Sequence, residues 1–257
     1  MIHLRTPAEV EAIARAGEIL ARLFEALPAQ VRPGVTTADL DEFADEFIRS
    51  HPGAVPAFKG LYGFPASVCI SVNQEVVHGI PSRRRVLAEG DLVSVDAGVR
   101  LEGWYADAAV TLPVGKIDAA AARLLQVTRE ALAAGIAQAV PGRHIGDIGH
   151  AIQRTAEEAG FQVVRDLVGH GIGREPHEEP QVPNYGRPGR GVLLREGMVL
   201  AIEPMVNEGG AGVVTLPDRW TVVTADRRRS AHFEHTVGVT AEGPRILTAR
   251  GAGNGKP

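Results

Sequence analysis

Leu87-Ala88-Glu89-Gly90-Asp91-Leu92-Val93-Ser94-Val95-Asp96 returns 107 residues later as Leu194-Arg195-Glu196-Gly197-Met198-Val199-Leu200-Ala201-Ile202-Glu203. Each copy is a glycine turn followed by an apolar, strand-like run that ends on a carboxylate. Working outward, Pro33-Gly34 followed by Asp39-Leu40 returns at an offset of 108 as Pro141-Gly142 followed by Asp147-Ile148, and each pair lies between two helical stretches. Solenoid repeats run about 20–50 residues, so a period this long implies a duplicated helix–helix–strand unit. The expected fold is α+β: a single domain over residues 1–249, with two halves related by a pseudo-twofold, one shared antiparallel sheet and helices behind it.

Local patterns support that division. Thr6-Pro7-Ala8-Glu9 has the form of a capping box with proline at the first helical position, and Val10, Ile13, Leu20, Leu23, Phe24 and Leu27 continue at helical spacing. Thr36 or Thr37 caps a second helix whose apolar face is Leu40, Phe43 and Phe47. Strands are expected over 67–72, 92–99 and 105–112. The glycine-rich tail 250–257 has no apolar anchor and is expected to be disordered.

Composition narrows the function. A hydrophobic fraction of 44% over 257 residues suffices for one substantial core and is too high for a disordered chain. The net charge of −4, with Arg83–Arg85 and Arg227–Arg229 as the only tight basic runs, gives no DNA-binding footprint. Solvated loops account for both triplets, with a weak contact to ribosomal RNA as the alternative. The single cysteine, Cys69, allows neither an intramolecular disulfide nor a thiolate metal cage. Nothing reads as a secretory leader or membrane span, so the expected location is the cytoplasm, with no membrane partner.

Acids in apolar surroundings are the chemical signal. Asp96 lies in Leu92-Val93-Ser94-Val95-Asp96-Ala97-Gly98 and Asp107 in Trp104-Tyr105-Ala106-Asp107-Ala108-Ala109-Val110; adjacent antiparallel strands would bring the two side by side. Glu203 ends an apolar run, and Glu234 lies in Ala231-His232-Phe233-Glu234-His235-Thr236-Val237, where strand alternation puts His232, Glu234 and Thr236 on one face. His170 sits between glycines in Val168-Gly169-His170-Gly171-Ile172-Gly173, which lets backbone approach an imidazole closely. Any one of these residues alone reads as a satisfied core polar group. Five together, with no lysine to balance them, imply buried cations, because a lone buried carboxylate is costly. Four carboxylates balance two divalent ions, and oxygen ligands with one imidazole suit Mn, Fe, Co or Zn.

These residues carry a resemblance to the type I methionine aminopeptidases of the creatinase-like pita-bread fold, running from about Thr6 to Thr248. Its most specific stretches are Ser67–Asn73 through His78-Gly79-Ile80-Pro81, Gly169–Gly173 through His177-Glu178-Glu179-Pro180, Ile202-Glu203-Pro204 and Phe233-Glu234-His235-Thr236. The five-ligand set is shared with prolidase and aminopeptidase P, which cleave X-Pro bonds; the His78–Pro81 stretch and the lack of a large N-terminal domain favour the methionine enzymes. The resemblance implies that Asp107 and Glu234 bridge two ions, Asp96 chelates one, and His170 and Glu203 complete the other, with Glu203 as general base for an attacking hydroxide held between them. It implies that His177 stabilises the oxyanion, that His78 binds the substrate amide, and that Phe64, Cys69 and Trp220 line the methionine pocket. The substrates would be nascent polypeptide N-termini with a small second residue, the enzyme a monomer, and the ribosome near the exit tunnel a further partner. A non-catalytic peptide-binding scaffold is the reading from a different class, disfavoured because all five ligand positions are filled. Two departures bear on the site: Pro176 stands where many relatives carry an aromatic residue before His177, and His232 where many carry glutamine.

Overall fold

The computed structural model describes residues 1–249, so the expected disordered tail, 250–257, lies outside the described residues. Both N-terminal helices begin as their sequences predict. Thr6 and Glu9 exchange hydrogen bonds across the start of α1 (Pro7–Ala26), and Thr36, rather than Thr37, does the same with Asp39 ahead of α2 (Thr37–Arg49). In the second half Asp118 caps α3 (Ala119–Ile136), and the Asp147 carboxylate accepts the His144 N–H at the start of α4 (Ile145–Glu158).

The repeat is visible bond for bond. Gly34 N–H donates to the Leu87 carbonyl at 2.8 Å, and Gly142 N–H to that of Leu194 at 3.0 Å. Backbone bridges join Thr36 to Val86 and His144 to Leu193. Gly34 and Gly142 hold φ of 89° and 88°, a left-handed conformation that favours glycine. Each half also has its own core. Ile13, Leu20, Leu40 and Ile48 pack with Val93, Val95, Ala97 and Val99, whereas Leu124, Leu132, Ile148 and Ile152 pack with Leu200, Ile202, Val237 and Val239.

The two halves meet in one antiparallel sheet, ordered Ala54–Pro56, Leu92–Leu101, Trp104–Pro113, Glu234–Thr240, Val199–Ile202, Val168–Gly171, Glu178–Pro183; Cys69–Val72 and Gly243–Ile246 pair with the second and fourth of these strands. The central hairpin is longer than its sequence suggests, because Glu102 (φ 51°) and Gly103 (φ 78°) close it in a two-residue turn. The expected single strand through 231–237 is broken at Phe233, and Ser230–His232 joins a separate sheet against Met205–Asn207. Thr111 explains the break: its hydroxyl accepts from His232 N–H and donates to the His232 carbonyl, both at 2.8 Å, and so replaces the ladder there. Thr236 makes the symmetric pair of bonds to the backbone of Asp107. Among the described residues no helix is long and apolar enough to cross a membrane.

Candidate metal centre and its cleft

Strand alternation points Val93, Val95, Ala97 and Val99 at the helices, leaving Asp96 and Gly98 on the opposite face. The hairpin register pairs Asp96 with Ala109 and Gly98 with Asp107, so the two aspartates lie diagonally on that face, within hydrogen-bonding reach of each other. Glu234 pairs with Ala109 from the other half, and His170 with Ala201. One ligand atom from each of Asp107, His170 and Glu234 lies within 4.8 Å of the others. Glu203 follows its strand and brings Oε1 to 3.5 Å from His170 Nε2, while Asn184 Nδ2 holds the Glu203 carbonyl at 3.1 Å.

The flanking glycines of His170 are required by close approach. A Cβ at Gly169 would collide with the Ala201 carbonyl, and one at Gly171 with that of Glu179. The ring Nδ1 lies 2.9 Å from the Gly171 carbonyl, an arrangement that puts the proton on Nδ1 and leaves the Nε2 lone pair facing Glu203.

The residues fit divalent ions on two observations. Asp96 Oδ1, Asp107 Oδ1 and Glu234 Oε1 are buried with no hydrogen-bond partner, and among the described residues no Lys or Arg pairs with any of the four carboxylates. Buried polar atoms are otherwise nearly always satisfied. Without a cation, burial followed by mutual repulsion pushes the carboxyls of Asp96, Glu203 and Glu234 well above the usual range, and burial lifts Asp107 to about 7. Burial also lowers His170 to about 4, the neutral form that ligates metals.

A cleft of about 250 Å³ opens onto this cluster, and the ten residues given a ligand, catalytic or pocket role from the sequence line it: Asp96, Asp107, His170, Glu203 and Glu234, with His78 and His177, and with Phe64, Cys69 and Trp220 along one wall. The Phe64 and Trp220 rings meet edge-on at 5.1 Å, and His177 meets His170 edge-on at 4.5 Å. His78 is held at φ 59°, a conformation uncommon outside glycine and concentrated at functional sites. Sequence reasoning missed Tyr62, which stacks on His177 at 5.9 Å and places its hydroxyl 3.5 Å from His177 Nδ1. It also missed Phe58, Leu167 and Met205 on the walls. For Tyr62 the neighbouring glycines at 60 and 63 were the available signal. Of the two departures, Pro176 is buried and is not among the lining residues, while His232 is buried behind the cleft with Nε2 3.9 Å from Glu203 Oε2.

Residues 11–241 match the model of metallopeptidase family M24. The chain belongs to that family. It is 54% identical to the methionine aminopeptidase of Clostridium perfringens over 248 residues, covering 96% of this chain and 99% of that one. The crystal structure of the methionine aminopeptidase of Thermotoga maritima superposes with a TM-score of 0.95 at 49% identity, over 97% of this chain and 100% of the other. The prolidase of Pyrococcus furiosus, at 23% identity and a TM-score of 0.77 over 95% of this chain and 65% of its own, shares the fold. The pita-bread architecture and the use of divalent metal therefore hold for this M24 chain.

Proposed function

We propose that this M24 enzyme is a methionine aminopeptidase that removes the first residue of new polypeptides when the second is small. The observation that carries the reading is a cluster of four carboxylates, three of them with an unpartnered buried oxygen, and one imidazole lining a cleft with an apolar, sulfur-bearing wall. The names of relatives near 50% identity over nearly the whole chain support it. Charge balance favours two divalent ions, drawn from Co, Mn, Fe or Zn, which Asp96, Asp107, His170, Glu203 and Glu234 would hold. Bound there, they would acidify a water and polarise the scissile carbonyl.

The chain's own residues do the rest. Glu203 holds the proton taken from the attacking water and returns it to the leaving amine. His177 donates to the carbonyl oxygen as negative charge grows on it, and His78 binds the amide of the substrate. Phe64, Cys69 and Trp220 would take the unbranched thioether side chain, and a bulky second residue would have to displace the loops bearing His78 and His177.

The setting we infer is cytoplasmic and monomeric, with nascent chains as substrates. The exposed Arg84, Arg227 and Arg228 supply a contact for ribosomal RNA, whereas Arg83 and Arg229 are already paired, with Asp39 and Glu42 and with Glu208 and Asp118. Assay of Met-Ala-Ser, Met-Lys-Ser and Ala-Pro-Ser tests the reading. Cleavage of the first alone is expected; preference for Ala-Pro-Ser would identify an X-Pro peptidase, and efficient cleavage of Met-Lys-Ser would refute the size limit.

A further inference from the structure

The loop that carries His177 is tied at its base by a residue from the far end of the chain. Arg5 Nη2 donates to both oxygens of Glu178, to Oε1 at 2.6 Å, and the two side chains are only 8% and 9% exposed. Glu178 Oε1 also accepts the backbone N–H groups of Arg174 at 2.8 Å and Glu175 at 3.2 Å. The guanidinium lies directly on Gly173, where a Cβ would collide with it, and Arg5 and Arg174 both lie over the Trp104 ring, at 5.4 and 3.7 Å. Arg5 N–H is in turn anchored to the Gly197 carbonyl at 2.7 Å.

A buried ion pair gains little net stability, because desolvation offsets its attraction. It does supply direction: one carboxylate gathering two backbone N–H groups and a guanidinium fixes the backbone of the residue next to His177. The ring's own contacts are to side chains: Tyr62, stacked at 5.9 Å with its hydroxyl 3.5 Å from Nδ1, and His170, edge-on at 4.5 Å. We propose that Arg5, acting through Glu178, is a positioning residue for His177, holding the 173–178 loop so that the imidazole faces His170 across the cleft. The inference rests on the aminopeptidase reading.

The test is the double variant Arg5→Met/Glu178→Leu, which removes both charges and leaves neither buried alone. With metal content equalised by mass spectrometry, kcat on Met-Ala-Ser is expected to fall about 10–100-fold with KM within about threefold, since a misplacement of about 1 Å costs on that order. The melting temperature should stay within a few degrees, because replacing a buried pair by apolar groups is often neutral. In a His177→Ala background the same two changes should cost nothing further. An equal additional loss in that background, or unchanged kcat, overturns the proposal. Should the double variant not fold, Arg5→Lys, which keeps the charge and loses the planar fork, takes its place in the same cycle with a smaller loss expected. The ¹H–¹⁵N ring signals of His177 separate this proposal from the functional reading: they should shift in the variant whether or not the protein cleaves methionyl peptides, and unchanged signals would overturn the positioning role alone.

Discussion

At the scale of single residues, Glu203 combines two demands that pull apart, a metal ligand's fixed geometry and a base's freedom to take a proton. Glu203→Gln keeps a coordinating oxygen but cannot hold the proton, so kcat is expected to fall by about 10²–10⁴ with the fold retained. Near-normal turnover at full metal loading would show that another group is the base. Cys69 is buried in the Phe64–Trp220 wall, and burial, followed by the charge of Asp96, pushes its thiol well above the usual range. The thiol should therefore be alkylated slowly at neutral pH, and more slowly still with methionine bound. Cys69→Ser should lower kcat/KM on methionyl peptides by about 10–200-fold at most, the range for one apolar contact; no change on Met-Ala-Ser would remove Cys69 from the pocket. The acids were legible because each stands in an apolar run where water cannot compensate its charge. Arg5 was not, since its importance depends on a partner 173 residues away.

Among the elements, the Val168–Gly171 strand is tightly constrained at the site, because its glycines sit against backbone carbonyls on both sides of His170. Gly171→Ala should cost about 1–3 kcal/mol, the usual range for overpacking, and should weaken metal binding by displacing the imidazole. Urea denaturation and competition with a chelator check both; a variant matching the parent in both would mean that the strand yields freely. Helix starts were readable, since a capping box is a local exchange of hydrogen bonds written in four residues. The break at Phe233 was not. Alternation alone continues the strand through 231–237, and only the Thr111 hydroxyl, distant in sequence, diverts His232 to another sheet.

On the scale of the whole molecule, the site lies where the two halves join, and removing the ions should be felt globally. Without them burial lifts Asp107 to about 7 in the folded state, and burial with mutual repulsion raises Glu203 and Glu234 well above the ordinary values they regain on unfolding. The metal-free fold therefore binds more protons than the unfolded chain, and its stability is expected to fall as pH rises from about 4 through 7. Metal should restore about 5–10 °C of melting temperature near neutral pH at about 100 times its Kd. Melts at pH 5.5 and 7.5 with and without chelator measure this, and identical midpoints would count against a shared buried site. The sequence alone determined the duplicated α+β plan, the starts of the first two helices and the five candidate ligands, because periodicity, caps and acids in apolar runs are local signals that survive without coordinates; His78, His177, Phe64, Cys69 and Trp220 came from the family resemblance. Only the tertiary structure decided which strands pair across the two halves, where Thr111 and Thr236 interrupt that pairing, and that Arg5 reaches the His177 loop. Those choices arise from contacts between residues more than a hundred positions apart, where burial and hydrogen-bond satisfaction select one arrangement among many that the local pattern allows.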